Sequence, residues 1–153
     1  MTMANLMNQI VISISEVMET MFYIPVEPRE EETTVSDFSL SDEGDIQVAT
    51  ITFHGGFSGF ISLIIPENLL TMMTENFMGE DRDNLTYEHL EGTLKEALNM
   101  VAGNTFSKID NQKSFGLGVP QIISKTAVNK ISGKMVVVDT MDGPIGIAVH
   151  LTK

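Results

Sequence analysis

The sequence feature that most constrains the fold is a nine-residue pattern that occurs twice. Residues 56–64 (GFSGFISLI) and 143–151 (GPIGIAVHL) both read Gly-x-x-Gly followed by alternating apolar positions, and both follow a strand pattern and a tight turn. Alternation of this kind predicts strands with one buried face. The simplest interpretation is two similar β-hairpins, each preceded by a helix. Matches of Gly and apolar residues also arise by chance, so the repeat alone leaves duplication and coincidence open.

Three segments have apolar residues at helical spacing, and they span residues 3–22, 67–78 and about 85–109. The first pattern ends before Pro25. Pro66 precedes the second helix, where a first turn tolerates proline, and Gly79 closes that helix. Either Asn84 or Thr86 caps the third helix. The helices are therefore long enough to pack across a sheet.

The strand patterns cover five segments, at residues 46–53, 59–65, 117–124, 134–140 and 145–151. Residues 29–45 are acidic and rich in Ser and Thr, which indicates a solvated loop, with a short strand at 35–40 as an option. One domain over residues 1–153 accounts for this length. We predict an α+β fold of pseudo-symmetric, duplicated helix–hairpin units, with the long helices packed on one face of an antiparallel sheet.

The charge of the chain excludes several classes of partner. Nine Lys and Arg residues against 21 Asp and Glu residues give a formal net charge of -12, with no basic stripe. Such a field repels nucleic acid and anionic membrane surfaces. The chain has no cysteine, and its three His residues lie far apart, so we expect no metal site. No apolar run is long enough to span a bilayer and the N-terminal segment is not a signal peptide, so we expect a cytoplasmic protein.

The outer face of the third helix departs from an ordinary surface pattern. At about 100° per residue, its apolar residues form one broad stripe, whereas Glu96 and Asn99 lie nearly opposite, together with Gly92 and Gly103. A glycine inside a helix costs about 1 kcal/mol relative to alanine. The two glycines leave a bare, flat surface on which a partner's backbone can lie close, so we assign Gly92 and Gly103 to partner binding. An exposed Glu-x-x-Asn pair alone is usually no more than solvated.

A family resemblance gives this pair a role. Residues 96–104 (EALNMVAGN), with Pro120 in the following strand, resemble the active-site helix of the CheC/CheX/FliY family, which are phosphatases of the phosphorylated chemotaxis receiver CheY. The family signature is a Glu, an Asn three residues on and a Pro about twenty residues later. A Ser or Asp commonly stands four residues before the Glu, where this chain has Gly92. The order of helices and strands agrees with that of the family over nearly the whole chain. Within the family, this chain is most similar to CheX.

The resemblance implies a duplicated fold and a division of labour across two proteins. Asn99 would position the water that attacks the aspartyl phosphate, and Glu96 would dock the receiver by pairing with its active-site Lys. The phosphatase needs no cofactor of its own, because the receiver brings Mg²⁺. The resemblance further implies a homodimer, and the apolar pattern of residues 145–151 suggests a strand edge that seeks a neighbour. In the first half of the chain, the resemblance places the segment that corresponds to the Glu-x-x-Asn motif at residues 16–19 (EVME). This segment has no Asn, so no second site is expected there.

Two alternatives to a phosphatase remain at this stage. The first is a non-catalytic module of the same fold that binds a receiver or a flagellar switch component, and Gly92 is the residue that favours it. The second is a homodimerising protein of unrelated role. The identity of the receiver and of the signalling pathway does not follow from the sequence.

Overall fold

The computed structural model of the chain describes residues 3–29, 45–109, 115–124 and 134–152. Within these ranges the chain forms three α-helices, one 3₁₀ turn at Arg82–Asn84 and seven strands. The helices are α1 (Met3–Met21), α2 (Glu67–Met78) and α3 (Tyr87–Ile109). The strands are β1 (Glu27–Pro28), β2 (Ile46–His54), β3 (Ser58–Pro66), β4 (Gly116–Leu117), β5 (Gln121–Ile123), β6 (Lys134–Thr140) and β7 (Gly143–Thr152).

All seven strands belong to one sheet, and every pair of neighbours is antiparallel. The strand order is β1-β6-β7-β3-β2-β4, and β5 also pairs with β2. Alternate residues of the central strands, such as Ile51, Ile61 and Ile147, share one buried cluster with all three helices. The opposite face carries a smaller apolar cluster around Val48 and Ile64 that contains no helical residue. The predicted α+β architecture, with the helices on one face of an antiparallel sheet, is therefore confirmed.

The pairing of β3 with β7 is consistent with the internal repeat. The two copies of the repeat are 87 residues apart (56 to 143). Gly59 pairs with Leu151, and Ile64 pairs with Gly146; moving each residue of the first pair to its repeat equivalent gives the second pair. An approximate two-fold axis therefore passes through the sheet near Ser62. The same shift carries α1 onto residues 90–108, which lie within α3.

A glycine is required at the repeat position on β3 because two strands approach closely there. A Cβ atom added at Gly59 would lie 1.9 Å from the backbone oxygen of His150, which is far below any real contact. Gly79 has a different role. It takes a left-handed conformation (φ 67°) after α2, and its N–H donates to the Glu75 carbonyl, which closes the helix as the sequence predicts.

The predicted strand at residues 117–124 is wrong in one respect, because it is not continuous. Leu117 pairs with Phe53, whereas Gln121 pairs with Thr50, so three residues of this segment face two residues of β2. The extra residue makes a bulge that includes Pro120, which has no N–H to donate to the sheet. The short strand β1 was not predicted, since two residues carry no periodicity. The possible strand at 35–40 lies outside the described residues.

The C-terminal strand is not an exposed edge. The apolar residues of β7 pair with β3 on one side and with β6 on the other. The expectation that residues 145–151 seek a strand from a second copy is therefore wrong. Their apolar character arises from their central place in the sheet, where Ile145, Ile147 and Val149 are fully buried. Homodimerisation rests on the family resemblance alone.

Candidate functional site

The candidate site lies on α3, and the first turn of this helix is fixed by its cap. The His89 N–H donates to Thr86 Oγ1 over 3.3 Å, and the Thr86 N–H donates to His89 Nδ1 over 3.1 Å. This reciprocal pair satisfies two backbone donors, with His89 in the position that Glu or Gln takes in a capping box. Thr86 rather than Asn84 is therefore the cap. The Tyr87 hydroxyl also bonds Glu67 Oε1 over 3.2 Å, which ties the starts of α3 and α2 together.

The last turns of α3 are held by aromatic packing. The ring of Phe106 lies 4.6 Å from that of Phe53 on β2 and 4.7 Å from that of Phe115, and Phe57 completes the cluster. Aromatic pairs at these distances stabilise a structure by about 0.5–1.5 kcal/mol each beyond their buried area. The cluster fixes the C-terminal half of α3 to the hairpin that joins β2 and β3.

A polar contact joins α3 to α1. Lys108 Nζ lies 2.8 Å from Glu16 Oε2, and the Asn104 amide donates to the same oxygen over 3.2 Å. The hydrogen bond from Lys108 lowers the pKa of Glu16 below its ordinary value of 4.5, and the charge of Lys108 and the bond from Asn104 act in the same direction. Both partners are partly exposed, so this pair sets the register of the two helices more than it stabilises them.

The inner face of α3 is an apolar stripe, as the wheel predicts. Leu94, Leu98 and Val101 have no exposed surface. The buried residues of the helix are Leu90, Thr93, Leu94, Ala97, Leu98, Val101, Ala102, Thr105 and Phe106. A helix held at both ends and along one face presents its other face in a fixed orientation.

The outer strip of α3, defined here as Gly92, Glu96, Asn99 and Gly103, faces away from this core. Glu96 and Asn99 are exposed, and neither side chain forms a hydrogen bond or ion pair with the part of the chain that the structure describes. A Cβ atom added at Gly92 or Gly103 would meet nothing within 4 Å. The glycines therefore have no packing role inside the domain, and the predicted bare strip is present.

The geometry of the strip permits positioning chemistry rather than acid–base chemistry. Glu96 and Asn99 are one helical turn apart, which places their Cβ atoms about 5–6 Å from each other. A carboxylate accepts hydrogen bonds, and an amide both donates and accepts. No nucleophile or base in the described part of the strip is activated by a neighbour. The pair has its chemical use only when a second molecule brings the reacting group to it.

Pro120, the third residue of the resemblance, lies off this helix. It occupies the bulge between β4 and β5 and is half-buried. Since β5 pairs with β2, Pro120 belongs to the edge of the sheet. The sequence correctly placed Glu96 and Asn99 on one face, whereas the position of Pro120 depends on a strand break that the sequence pattern does not show.

A cavity of about 640 Å³ lies elsewhere, at the starts of α2 and α3. Its lining includes the carboxylates of Asp45, Glu67 and Asp142, and its one cationic side chain among the described residues is that of Arg82. Tyr87, which also lines it, is nine residues from Glu96 and thus on the opposite side of α3. The cavity and the outer strip are therefore separate surfaces. The three carboxylates repel a phosphate group, so the cavity does not fit a phosphorylated substrate.

The described ranges lack two other kinds of functional feature. They contain no cluster of three or more His, Asp or Glu side chains arranged to hold a metal ion. None of their helices combines the length and apolar character needed to cross a membrane.

Solved structures with the same fold extend over the whole chain. The chemotaxis protein CheX of Vibrio vulnificus is 20% identical, with 96% of each chain covered and a TM-score of 0.71. A CheC-like protein of a Shewanella species is 18% identical, with full coverage of both chains and a TM-score of 0.74. CheX of Borrelia burgdorferi, in a complex with CheY, BeF3 and Mg²⁺, is 15% identical over 97% of this chain and 98% of that one, with a TM-score of 0.70.

At these identities the structures establish the fold and nothing more. No curated protein matches this sequence significantly. The family model described as chemotaxis phosphatase CheX matches residues 47–142, a range that includes all but the first residue of β2 and the whole of β3, α2 and α3. Because that match covers more than half of the sequence and contains the outer strip, this chain belongs to the CheX family of chemotaxis phosphatases.

Proposed function

We propose that this chain accelerates hydrolysis of the aspartyl phosphate on a CheY-like receiver domain. The observation that supports this best is the outer strip. It presents an unpartnered Glu-x-x-Asn pair between two glycines on a helix that is held at both ends. The CheX family membership and the CheX–CheY complex of Borrelia burgdorferi support a receiver as the partner.

The reaction asks for placement of one water molecule. The water oxygen forms a bond to phosphorus as the bond from phosphorus to the aspartyl oxygen breaks, which yields a free carboxylate and dihydrogen phosphate. The transition state of phosphoryl transfer is loose, and its catalysis consists mostly of positioning and charge stabilisation. The Asn99 carbonyl accepts a hydrogen bond from the water, and its NH₂ group donates to a phosphoryl oxygen. This is the role that Gln has in GTPases.

Glu96 acts as the docking residue in this proposal. Its carboxylate is exposed and forms no ion pair with the described residues, so it is available to the active-site Lys of the receiver. An ion pair at an interface sets the orientation and the rate of association. A correct orientation matters here because in-line attack requires the water and the leaving oxygen to lie on opposite sides of phosphorus.

The remaining requirements are met by the receiver. It supplies the Mg²⁺ that neutralises the phosphoryl oxygens, so the phosphatase carries no metal of its own. The net charge of -12 is compatible with this arrangement, since no free phosphate has to be gathered. We place this reaction in the cytoplasm and expect a homodimer, following the family.

The second candidate is a module that binds a receiver without turnover. Gly92 favours it, because the family commonly has Ser or Asp at this position and the structure shows open space where that side chain would stand. The two candidates predict the same complex and differ in the rate of phosphate release.

A screen of receivers tests the proposal. Phosphorylated receiver domains are incubated with Mg²⁺, with and without this chain, and phosphate release is followed over time. We expect at least one receiver to lose phosphate several-fold faster. Stable binding of phosphorylated receivers with no acceleration for any of them would contradict the enzyme and support the binding module.

A further inference from the structure

We propose that Lys95 is a further catalytic residue of α3, whose ammonium group contacts the phosphoryl oxygens of the docked receiver. This inference rests on the proposed function and adds a charged group to the same site. The residue stands next to Glu96 in the sequence, is exposed, and is the one Lys or Arg of α3 before its final turns.

The position of Lys95 on the helix places it beside Asn99. At 100° per residue, Asn99 lies 60° from Glu96 and Lys95 lies a further 40° in the same direction. The amide of Asn99 thus stands between the carboxylate of Glu96 and the ammonium of Lys95. Along the helix axis, Lys95 is about 6 Å before Asn99. A phosphoryl group held at Asn99 therefore has a carboxylate on one flank and a cation on the other.

Lys95 has no ion pair within the described ranges, although the chain is strongly acidic. Three of the four other Lys and Arg residues there, Arg29, Arg82 and Lys108, each pair with a carboxylate. Glu91 lies one turn before Lys95, in the order that favours an ion pair on a helix. That pair is not formed, and no contact with another described residue holds the ammonium group.

Gly92 gives the Lys95 side chain its freedom. Helical side chains lean towards the N-terminus, so Lys95 extends over the turn that contains Glu91 and Gly92. Since a Cβ atom at Gly92 would meet nothing within 4 Å, the space on that side is open. The long stem of Lys95 can therefore swing across the outer strip towards whatever occupies it.

A cation at this place has a defined use in the proposed reaction. When Glu96 pairs with the Lys of the receiver, it withdraws part of that positive charge from the phosphoryl group. Lys95 replaces it. As water attacks, the ammonium group of Lys95 stabilises the negative charge on the phosphoryl oxygens, which is where a cation lowers the barrier most. Lysine acts there as a point charge rather than as a two-pronged donor.

The test is single-turnover phosphate release at saturating phosphatase, together with the concentration that gives half the maximal rate. We expect Lys95→Met to lower the part of the maximal rate that exceeds the receiver's own rate by about tenfold, and to change the half-maximal concentration less than threefold. Lys95→Arg keeps the charge and should restore most of the rate. Lys134→Met is the matched control, since Lys134 is exposed, forms no ion pair in the described residues and lies at the start of β6.

The outcomes separate this role from simple steering and from failure of the function itself. A Lys95→Met variant that changes only the half-maximal concentration, with a strong dependence on salt, would overturn the catalytic role in favour of electrostatic steering. An unchanged variant beside an active wild type would overturn the role and leave the phosphatase standing. A wild type with no activity towards any receiver would refute the proposed function and this role together.

Discussion

The outer faces of α1 and α3 share one backbone design and differ in chemistry. The 87-residue shift that relates β3 to β7 carries Glu96 onto Gln9 and Asn99 onto Ile12. The sheet register therefore corrects the earlier placement of the matching position at residues 16–19, though the conclusion that the first half lacks the pair still holds. The two-fold design fixes where a site can stand, and only local residues decide whether one does.

The glycines follow the same division. The positions of α1 that correspond to Gly92 and Gly103 are Asn5 and Glu16. Both have side chains, and Glu16 is engaged by Lys108 of α3. At these two positions the outer face of α1 thus has side chains, and one of them is engaged. The corresponding positions of α3 are glycines and leave the surface open. The comparison teaches that an open strip, and not the helix itself, distinguishes the half that we propose to be active.

After the loss of Asn99 itself, the docking role of Glu96 gives the largest expected difference between the two halves. Because Glu96→Ala removes the ion pair with the receiver's Lys, it should raise the receiver concentration for half-maximal rate about tenfold. This corresponds to a loss of roughly 1.4 kcal/mol of binding free energy. The maximal rate should change less than threefold. Gln9→Ala is the matched control on α1 and should leave both quantities unchanged. An equal loss from the two variants, measured by phosphate release, would break the distinction between the halves.

The bare strip is tested by filling it. Gly92→Leu and Gly103→Leu should each weaken receiver binding several-fold, because a side chain then stands where the partner lies close. The alanine variants should meanwhile raise the free energy of unfolding by up to about 1 kcal/mol, since glycine is the poorer helix former and both positions are open.

Urea denaturation and receiver titration of the same four variants separate these effects. A stability gain together with a binding loss supports the strip as a contact surface. Unimpaired binding by both leucine variants would show that the partner docks elsewhere.

The contact between the halves gives the smallest effect. Glu16→Gln removes the charge that pairs with Lys108 and should lower the urea midpoint slightly at pH 7. Because the folded protein lowers the pKa of Glu16, the pair stabilises the fold above the ordinary pKa of 4.5 and is lost as the pH falls through the folded value. The difference between wild type and Glu16→Gln should therefore vanish in acid. A difference that fails to shrink as the pH is lowered through the acid range would contradict this account, and high salt should reduce it at pH 7.

Much of the fold follows from local rules in the sequence. The helix ends at Gly79 and Thr86 and the buried stripe of α3 are set by turn chemistry and periodicity, which act over a few residues. Local rules do not set the bulge at Pro120 or the central position of β7, because both depend on which strands pair across long separations in the sequence. The placement of Glu96 and Asn99 on one face also follows from spacing, since three residues make nearly one helical turn.

The remaining parts of the site required the folded chain. The strand register supports the 87-residue shift that makes Gln9 and Ile12 the counterparts of the pair. Only the surroundings of Gly92 and Gly103 show that these glycines have no packing role within the domain. The freedom of Lys95 likewise depends on contacts that spacing cannot give, because Glu91 is correctly placed to pair with it and does not.

The central claim is that Asn99 places the attacking water, and one measurement tests it most directly. Phosphate release from a phosphorylated receiver with Mg²⁺ is followed at saturating concentrations of wild type, Asn99→Ala and the matched α1 variant Ile12→Ala, with folding checked by circular dichroism. We predict that Asn99→Ala binds the receiver yet reduces the rate to that of the receiver alone, whereas Ile12→Ala retains the wild-type rate. A folded Asn99→Ala variant that releases phosphate as fast as wild type would contradict the account.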